Sequence, residues 1–148
     1  MISKKSFNQL NELVNTNKTL SLNQKNILYE NGEKNYESIK ELLMEGLIYK
    51  PNQKYNAIQI LYILRGFKGI EEFLEVVLYF IEDEDIKIRS CCFNLLIILA
   101  AENLRGLTHE IDENNINQKV IPALKKALNK GVLPNSLEFS KKHVDINL

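Results

Sequence analysis

The segment from Asp83 to Glu102, DEDIKIRSCCFNLLIILAAE, decides the fold of this 148-residue chain. An acidic turn leads into a helix that is apolar on nearly every side, with few polar positions, chiefly Lys87, Arg89, Ser90 and Asn94. Such a helix is buried either in a protein core or in a membrane. Its unbroken apolar run, Leu95 to Ala101, is much shorter than the ~18 residues that a bilayer requires. The segment therefore predicts the central core helix of a soluble protein.

Apolar residues recur at spacings of three and four along most of the chain, which predicts further amphipathic helices. Their expected ranges are Ser3 to Asn15, Ser21 to Glu30, Tyr36 to Tyr49, Gln53 to Leu64, Ile70 to Glu82 and Asn117 to Lys130. Ser21 and Asn35 are expected to cap the second and third helices, Gly32 to follow the end of the second, and Gly131 to end the helix from Asn117. The expected core positions include Leu47 on the third helix and, on the fourth, Ala57, Ile58, Ile60, Leu61 and Leu64. We expect a loop from Leu104 to Asn115 and a short helix from Ser136. The fold class is all-α, in a single domain spanning 1–148.

The charge of the chain is zero overall but is unevenly distributed. Residues 70–115 contain three Lys or Arg and eleven Asp or Glu, whereas the flanking segments have a basic excess. An acidic block repels phosphate and attracts basic partners, which disfavours nucleic-acid binding. The basic start of the chain lacks the apolar core of a secretory signal. The two cysteines are adjacent and form no disulfide framework, so we expect a cytoplasmic protein.

Motifs for catalysis or cofactor binding are absent from the sequence. Cys91-Cys92 lacks the spacing of redox pairs and the set of about four ligands typical of structural zinc, which favours buried apolar cysteines. His109-Glu110 lies in the predicted loop and is weak evidence for acid–base chemistry. No phosphate loop, nucleophile elbow or zinc-protease helix appears. We therefore expect no enzymatic activity, no cofactor and no metal.

An internal repeat relates two pairs of predicted helices by a shift of about 35 residues. The first pair precedes the turn from Gly66 to Gly69, and the second pair follows it. Ala57, Ile60, Leu61 and Leu64 align with Cys92, Leu95, Leu96 and Leu99. Each copy predicts a hairpin of two helices. One hairpin alone cannot bury both of its faces, so repeated hairpins are expected to stack.

The segment Ile81 to Ala100 resembles the second half of a HEAT repeat, because Asp83, Asp85, Ile88 and Arg89 occupy that family's turn positions. Lys119 to Leu128, KVIPALKKAL, is similar to its proline-containing first helix. The resemblance implies a short right-handed α-solenoid, or armadillo-like stack, of two to three hairpins with an N-terminal helical cap. It also implies structural roles for Asp83, Asp85 and Arg89. There are three departures from the family pattern. The repeat unit is short, Lys50 to Lys54 stand where Asp and Arg would be expected, and the N-terminal pair of helices shows no repeat motif.

Two acidic stripes are the strongest candidates for a binding surface. The first comprises Glu37, Glu41 and Glu45, and the second comprises Glu71, Glu75, Tyr79 and Glu82. Residues four apart share a helix face, and stacked hairpins would place the two stripes side by side. We therefore predict that these residues contact a partner protein. The alternative is that they are solvated faces, partly neutralised by Lys40 and Lys68.

A second candidate surface is polar and would form on the second helices of the hairpins. It comprises Asn52, Asn56, Gln59 and Tyr62 beside Lys87, Ser90 and Asn94. These side chains could hydrogen-bond a partner, but they are equally what an ordinary exposed helix face contains.

These features predict a non-enzymatic protein-binding module. A small, neutral, helical-repeat chain resembles some bacterial immunity proteins, which implies a basic toxin domain as its partner. The alternative is a scaffold or adaptor that self-associates or binds another protein. A HEAT-like nucleic-acid-binding protein is a third reading, disfavoured by the acidic charge. No membrane partner is expected.

Overall fold

A computed structural model describes residues 11–14, 20–104 and 111–142. These residues are predominantly helical and contain no β-strand, so the predicted all-α class is confirmed. Residues 11–14 are helical, whereas most of the predicted helix from Ser3 to Asn15 lies outside the described residues. No helix in the described part of the chain is both long and apolar enough to cross a membrane.

The helices fall into two compact units, Met1–Val76 and Val77–Leu148. The first contains α1 (Leu22–Glu30), α2 (Gly32–Met44), α3 (Pro51–Leu64), a 3-10 turn (Arg65–Phe67) and the start of α4 (Ile70–Phe80). The second contains the rest of α4, then α5 (Ile86–Leu104), α6 (Glu113–Asn115), a π-helical turn (Ile116–Val120), α7 (Ile121–Lys130) and α8 (Pro134–Lys141). The single domain over 1–148 stays a prediction.

The start of α1 confirms the predicted cap. The backbone N–H of Gln24 donates to Ser21 Oγ at 3.2 Å, and the N–H of Ser21 donates to Gln24 Oε1 at 2.8 Å. This reciprocal capping box satisfies two backbone donors that have no partner within the helix.

The junction between α1 and α2 differs from the prediction. Asn35 is buried inside α2, where its Nδ2 donates to the Leu28 carbonyl of α1 at 2.7 Å, so its prediction as a cap is wrong. Gly32 is the first residue of α2 rather than a cap after α1. A Cβ at Gly32 would lie 2.6 Å from the Phe67 ring. The glycine therefore permits a close approach of two segments, and sequence reasoning assigned it to a helix end.

α2 ends at Met44, before the predicted limit of Tyr49, because Gly46 adopts a left-handed conformation with φ of 76°. The Leu47 N–H donates to the Leu42 carbonyl at 3.0 Å, and the Gly46 N–H donates to the Leu43 carbonyl at 3.3 Å. These two bonds form a Schellman motif, which satisfies the last carbonyls of the helix. As a result Leu47, predicted to be in the core, is 63% exposed.

α3 forms as predicted and packs against α2. Pro51 lies at its first turn, where a missing N–H has no consequence. The predicted core positions are all buried, namely Ala57, Ile58, Ile60, Leu61 and Leu64. The α2–α3 pair is therefore held by an apolar seam that the sequence pattern indicates correctly.

α5 is the predicted buried helix, but two of its polar residues are also buried. Arg89 is 7% exposed; its Nη1 donates to the carbonyls of Asp83 at 2.8 Å and Glu84 at 3.0 Å, and its Nε donates to the Gly131 carbonyl at 2.9 Å. Ser90 is 3% exposed, and its Oγ accepts from the Leu133 N–H at 2.8 Å. These bonds tie the start of α5 to the segment between α7 and α8. The expectation that Ser90 lies on an exposed polar surface is wrong, whereas the burial of Arg89 is consistent with the structural role that the resemblance implied.

The acidic turn before α5 is held by its own aspartates. Asp83 Oδ1 accepts from the Asp85 N–H at 3.0 Å, and Asp85 Oδ1 accepts from the Lys87 N–H at 2.8 Å. Asp83, Asp85 and Arg89 thus have structural roles, while membership of the HEAT family stays a prediction.

The C-terminal helices begin earlier than predicted. Helical structure starts at Glu113 and passes through the π-helical turn directly before Pro122, which lies in the first turn of α7. Gly131 ends α7 as expected, with φ of 112°. α8 starts at Pro134, and Ser136, the predicted start, is buried within it.

We predict that Arg89→Met destabilises the protein by about 3 kcal/mol or more, because three carbonyl groups lose a charged donor in a buried setting. Lys87→Met is the matched control, since Lys87 is exposed and lies two residues before Arg89 in the same helix, and its effect should stay within about 0.5 kcal/mol. Urea unfolding of both variants measures the difference. Equal stabilities would contradict the anchoring role of Arg89.

Candidate functional site

The first unit contains a cavity of about 400 Å³ lined by residues of α2 and α4 and by Lys68. Its charged lining contains five carboxylates and two ammonium groups, which are Glu37, Glu41, Glu45, Glu72, Glu75, Lys40 and Lys68. Tyr36 and Met44 complete the lining. We call this feature the acidic cavity. Its lining charges sum to −3, five negative and two positive.

Helix geometry explains why these side chains meet. Glu37, Glu41 and Glu45 follow one another at intervals of four residues, so they lie along one face at α2 and its C-cap. Glu72 and Glu75 are three residues apart in α4 and also share a face. Lys68 lies just before α4, in the turn that follows the 3-10 segment.

Two lysines join the walls of the acidic cavity through ion pairs. Lys40 Nζ lies 2.7 Å from Glu72 Oε2 and 3.3 Å from Glu75 Oε2. Lys68 Nζ lies 2.7 Å from Glu37 Oε1 and 3.6 Å from Glu33 Oε1. The partial neutralisation by Lys40 and Lys68 that the sequence suggested is thus present. Both ammonium groups point to carboxylates of the opposite segment.

Negative charge nevertheless remains in excess at the acidic cavity. Glu41 and Glu45 are exposed and form no ion pair within the described part of the chain. Because two lysines are shared among the other carboxylates, these two glutamates keep their charges available to a ligand.

Tyr36 is a residue of the acidic cavity that the sequence analysis did not identify. Its side chain is fully buried, and its hydroxyl has no hydrogen-bond partner among the described residues. Burial, followed by the charges of Glu72 and Glu75, raises the pKa of the Tyr36 phenol well above its usual range. The phenol is therefore neutral at physiological pH, with a donor and an acceptor that are both unused. Tyr36 lines the acidic cavity together with Glu72 and Glu75.

The structure brings together four of the seven predicted partner-binding residues, Glu37, Glu41, Glu45 and Glu75. Glu71 is exposed and does not line the acidic cavity. Tyr79 and Glu82 belong to the second unit. Tyr79 is 64% exposed, and its ring packs edge-on against that of Phe80, with 4.9 Å between the ring centroids. Glu72 was not predicted, although its spacing from Glu75 could have indicated it.

The second candidate surface is less available than the sequence suggested. Ser90 is buried, as described above, and does not present a polar group to solvent. Asn56 Nδ2 donates to the Val14 carbonyl at 3.2 Å. The Tyr62 ring packs against the Phe73 ring, with 5.7 Å between the ring centroids. Asn52 and Lys87 are exposed.

The remaining candidates from the sequence are the two cysteines and the His109-Glu110 pair. Cys91 and Cys92 are buried thiols, and burial raises the pKa of the Cys92 thiol. Within the described residues, no group of three or more His, Cys, Asp or Glu is placed to hold a metal ion. His109 and Glu110 lie outside the described residues.

A scan against protein-family models finds no match, and searches of curated proteins and of solved structures find no significant similarity. The acidic cavity is consequently interpreted from its own chemistry.

We predict that the ion pairs around Lys40 make a modest, pH-dependent contribution to stability. Burial alone would lower the pKa of Lys40, but hydrogen bonds to Glu72 and Glu75 outweigh it and raise that pKa. The hydrogen bond and charge of Lys40 lower the pKa of Glu72. Glu72 thus contributes stability above its unfolded pKa of about 4.3, lost as pH falls through its lower folded pKa. Lys40 contributes stability below about 10.4, lost as pH rises through its higher folded pKa.

Lys40→Met should accordingly cost about 1 kcal/mol or less at pH 7, and the difference from the wild type should vanish near pH 2. Lys34→Met, at an exposed position of the same helix, is the control and should change little at either pH. Urea unfolding across pH measures both. A loss that persisted unchanged in acid would contradict the electrostatic explanation.

We predict that Tyr36→Phe leaves the protein equally stable or stabilises it by up to about 1 kcal/mol. An unpaired buried hydroxyl is unfavourable, so removing it relieves a desolvation penalty while the ring keeps its packing. Thermal or urea unfolding provides the measurement. A loss above about 1 kcal/mol would mean that the hydroxyl has a strong partner in the free protein.

Proposed function

We propose that this protein is a non-enzymatic binding module that recognises a basic protein partner through the acidic cavity and the glutamates around it. The observation that carries the proposal is the combination of excess carboxylate, at Glu41 and Glu45, with an unsatisfied buried hydroxyl, at Tyr36. Complementary charge steers association and selects against partners of the wrong sign. Both features are located in one compact unit, so they can act on the same ligand.

The class of binding module that we propose is a short HEAT-like α-solenoid with an N-terminal helical cap. Support comes from the contact between α2 and α3 and from the turn in which Asp83 and Asp85 bond to backbone N–H groups. The bonds from Arg89 to the carbonyls of its own turn and to Gly131 add to this support.

Within that class, we propose an immunity protein that neutralises a cognate bacterial toxin by direct binding in the cytoplasm. A toxin domain that acts on nucleic acid needs a basic surface, and an acidic cavity is complementary to such a surface. The lack of catalytic motifs in this sequence and the net negative charge of the acidic cavity support a role as a stoichiometric inhibitor.

A scaffold or adaptor that self-associates is the second candidate, and a specific surface favours it. Leu47 and Tyr49 are 63% and 67% exposed in the segment that follows α2. Exposed apolar and aromatic side chains close together are typical of protein contact sites.

The test is co-expression of the protein with the product of the adjacent upstream gene, followed by purification and a toxicity assay. An immunity role predicts a one-to-one complex that resists moderate salt, together with loss of toxicity. A complex without protection would favour the scaffold role, and self-association alone would contradict the immunity role.

Charge reversal then locates the interface. Glu41→Lys with Glu45→Lys should weaken the complex by about tenfold or more, since two unpaired charges change sign. Glu138→Lys is the control, because this exposed glutamate lies in α8 of the second unit. Glu71→Lys with Glu82→Lys tests the part of the second stripe that lies outside the acidic cavity. Unchanged affinity in the first variant would contradict binding at the acidic cavity.

A further inference from the structure

We propose that the acidic cavity is an arginine-binding pocket, in which the guanidinium of a partner residue reaches the Tyr36 hydroxyl and the surrounding glutamates. This inference rests on the proposed function, because it specifies which side chain of the basic partner occupies the site.

The charge of the acidic cavity requires a cationic ligand. Lys40 and Lys68 are already within 2.7 Å of carboxylates on the opposite segment, so their charges are largely committed. Glu41 and Glu45 remain unpaired within the described residues, and an anionic group would be repelled by them. A carboxylate or phosphate ligand would therefore have to displace existing ion pairs, whereas a cation adds to them.

The Tyr36 hydroxyl adds a requirement that charge alone does not impose. It is fully buried and has no partner, which is uncommon, since native proteins satisfy most buried polar atoms. Because the hydroxyl is closed to solvent in the free protein, an occupant reaches it with an N–H donor only when a lining side chain moves aside, and it then satisfies the oxygen.

Guanidinium matches the arrangement better than ammonium does. Its five N–H donors lie in one plane and point in several directions, so one group can donate both to a phenol oxygen and to separate carboxylates. An ammonium group has three donors around one atom and suits a more compact set of acceptors. The apolar side chain of Met44 also lines the cavity and provides a surface for the aliphatic part of arginine.

The test uses a small probe and does not require the partner. Nα-acetyl-arginine N-methylamide is titrated into the full-length protein in the millimolar range, and backbone amide shifts are followed by NMR. Nα-acetyl-citrulline N-methylamide is the matched control, since it keeps the shape of the side chain but has no charge. The lysine analogue compares ammonium with guanidinium.

We expect the arginine probe to shift amides of α2 and the start of α4, with at least about tenfold tighter binding than the citrulline probe. The lysine probe should bind with intermediate affinity. Tyr36→Phe should weaken arginine binding by about threefold or more, consistent with loss of one hydrogen bond to a charged group. Tyr79→Phe, at an exposed tyrosine outside the acidic cavity, should leave the affinity unchanged.

A second variant keeps the test decisive if Tyr36→Phe alters the fold. Glu41→Gln with Glu45→Gln changes only exposed side chains and should also weaken arginine binding by about tenfold, because two carboxylate acceptors lose their charge. Equal binding of arginine and citrulline, shifts confined to other helices, or unchanged affinity in these variants would overturn the inference.

Failure of this inference is distinguishable from failure of the proposed function. If the arginine probe does not bind but charge reversal at Glu41 and Glu45 abolishes the complex, the partner uses the acidic surface without an inserted arginine. If the probe binds as expected but no basic protein partner forms a complex, the pocket is present and the proposed function is wrong.

Discussion

The structure of the second unit depends on the burial of α5, a helix that is apolar on almost every side. Such a helix must be covered all round, and every polar group that is buried with it needs a partner. Arg89 and Ser90 meet this requirement by bonding to the carbonyls of the acidic turn and to the backbone around Gly131 and Leu133. Asn94 Oδ1, also buried in α5, has no partner among the described residues. The same bonds that satisfy the buried polar groups therefore also position the segment between α7 and α8.

In the first unit, ion pairs between side chains partly neutralise the excess of negative charge. Lys40 and Lys68 reach across to carboxylates on neighbouring segments, which reduces the repulsion that the acidic stripes would otherwise produce. Neither lysine pairs with Glu41 or Glu45, and the Tyr36 hydroxyl has no hydrogen-bond partner among the described residues. Residual charge beside an unsatisfied hydroxyl is unfavourable for the free protein and favourable for a cationic ligand, and this imbalance is the physical basis of the proposed binding function.

The sequence predicted helix positions well wherever local signals and apolar spacing agreed. Ser21 and Gly131 act at helix ends as expected, and the apolar face of α3 is buried throughout. The predictions were wrong at positions where one residue type can either end or cap a helix or serve a contact between segments. Gly32 permits a close approach to Phe67 instead of ending a helix, and Asn35 bonds to the preceding helix instead of capping its own. The glycine that does end α2 is Gly46, and overlooking it placed Leu47 in the core.

Residue order and spacing were sufficient to establish the helical class, the buried α5 and the row of glutamates along α2, because these properties depend on neighbours within about four positions. The acidic cavity depends on folding. Its ion pairs join residues about 30 positions apart along the chain, and the isolation of the Tyr36 hydroxyl results from which side chains surround it. Helical periodicity shows which face a residue occupies, but it contains no information about which distant groups that face will meet.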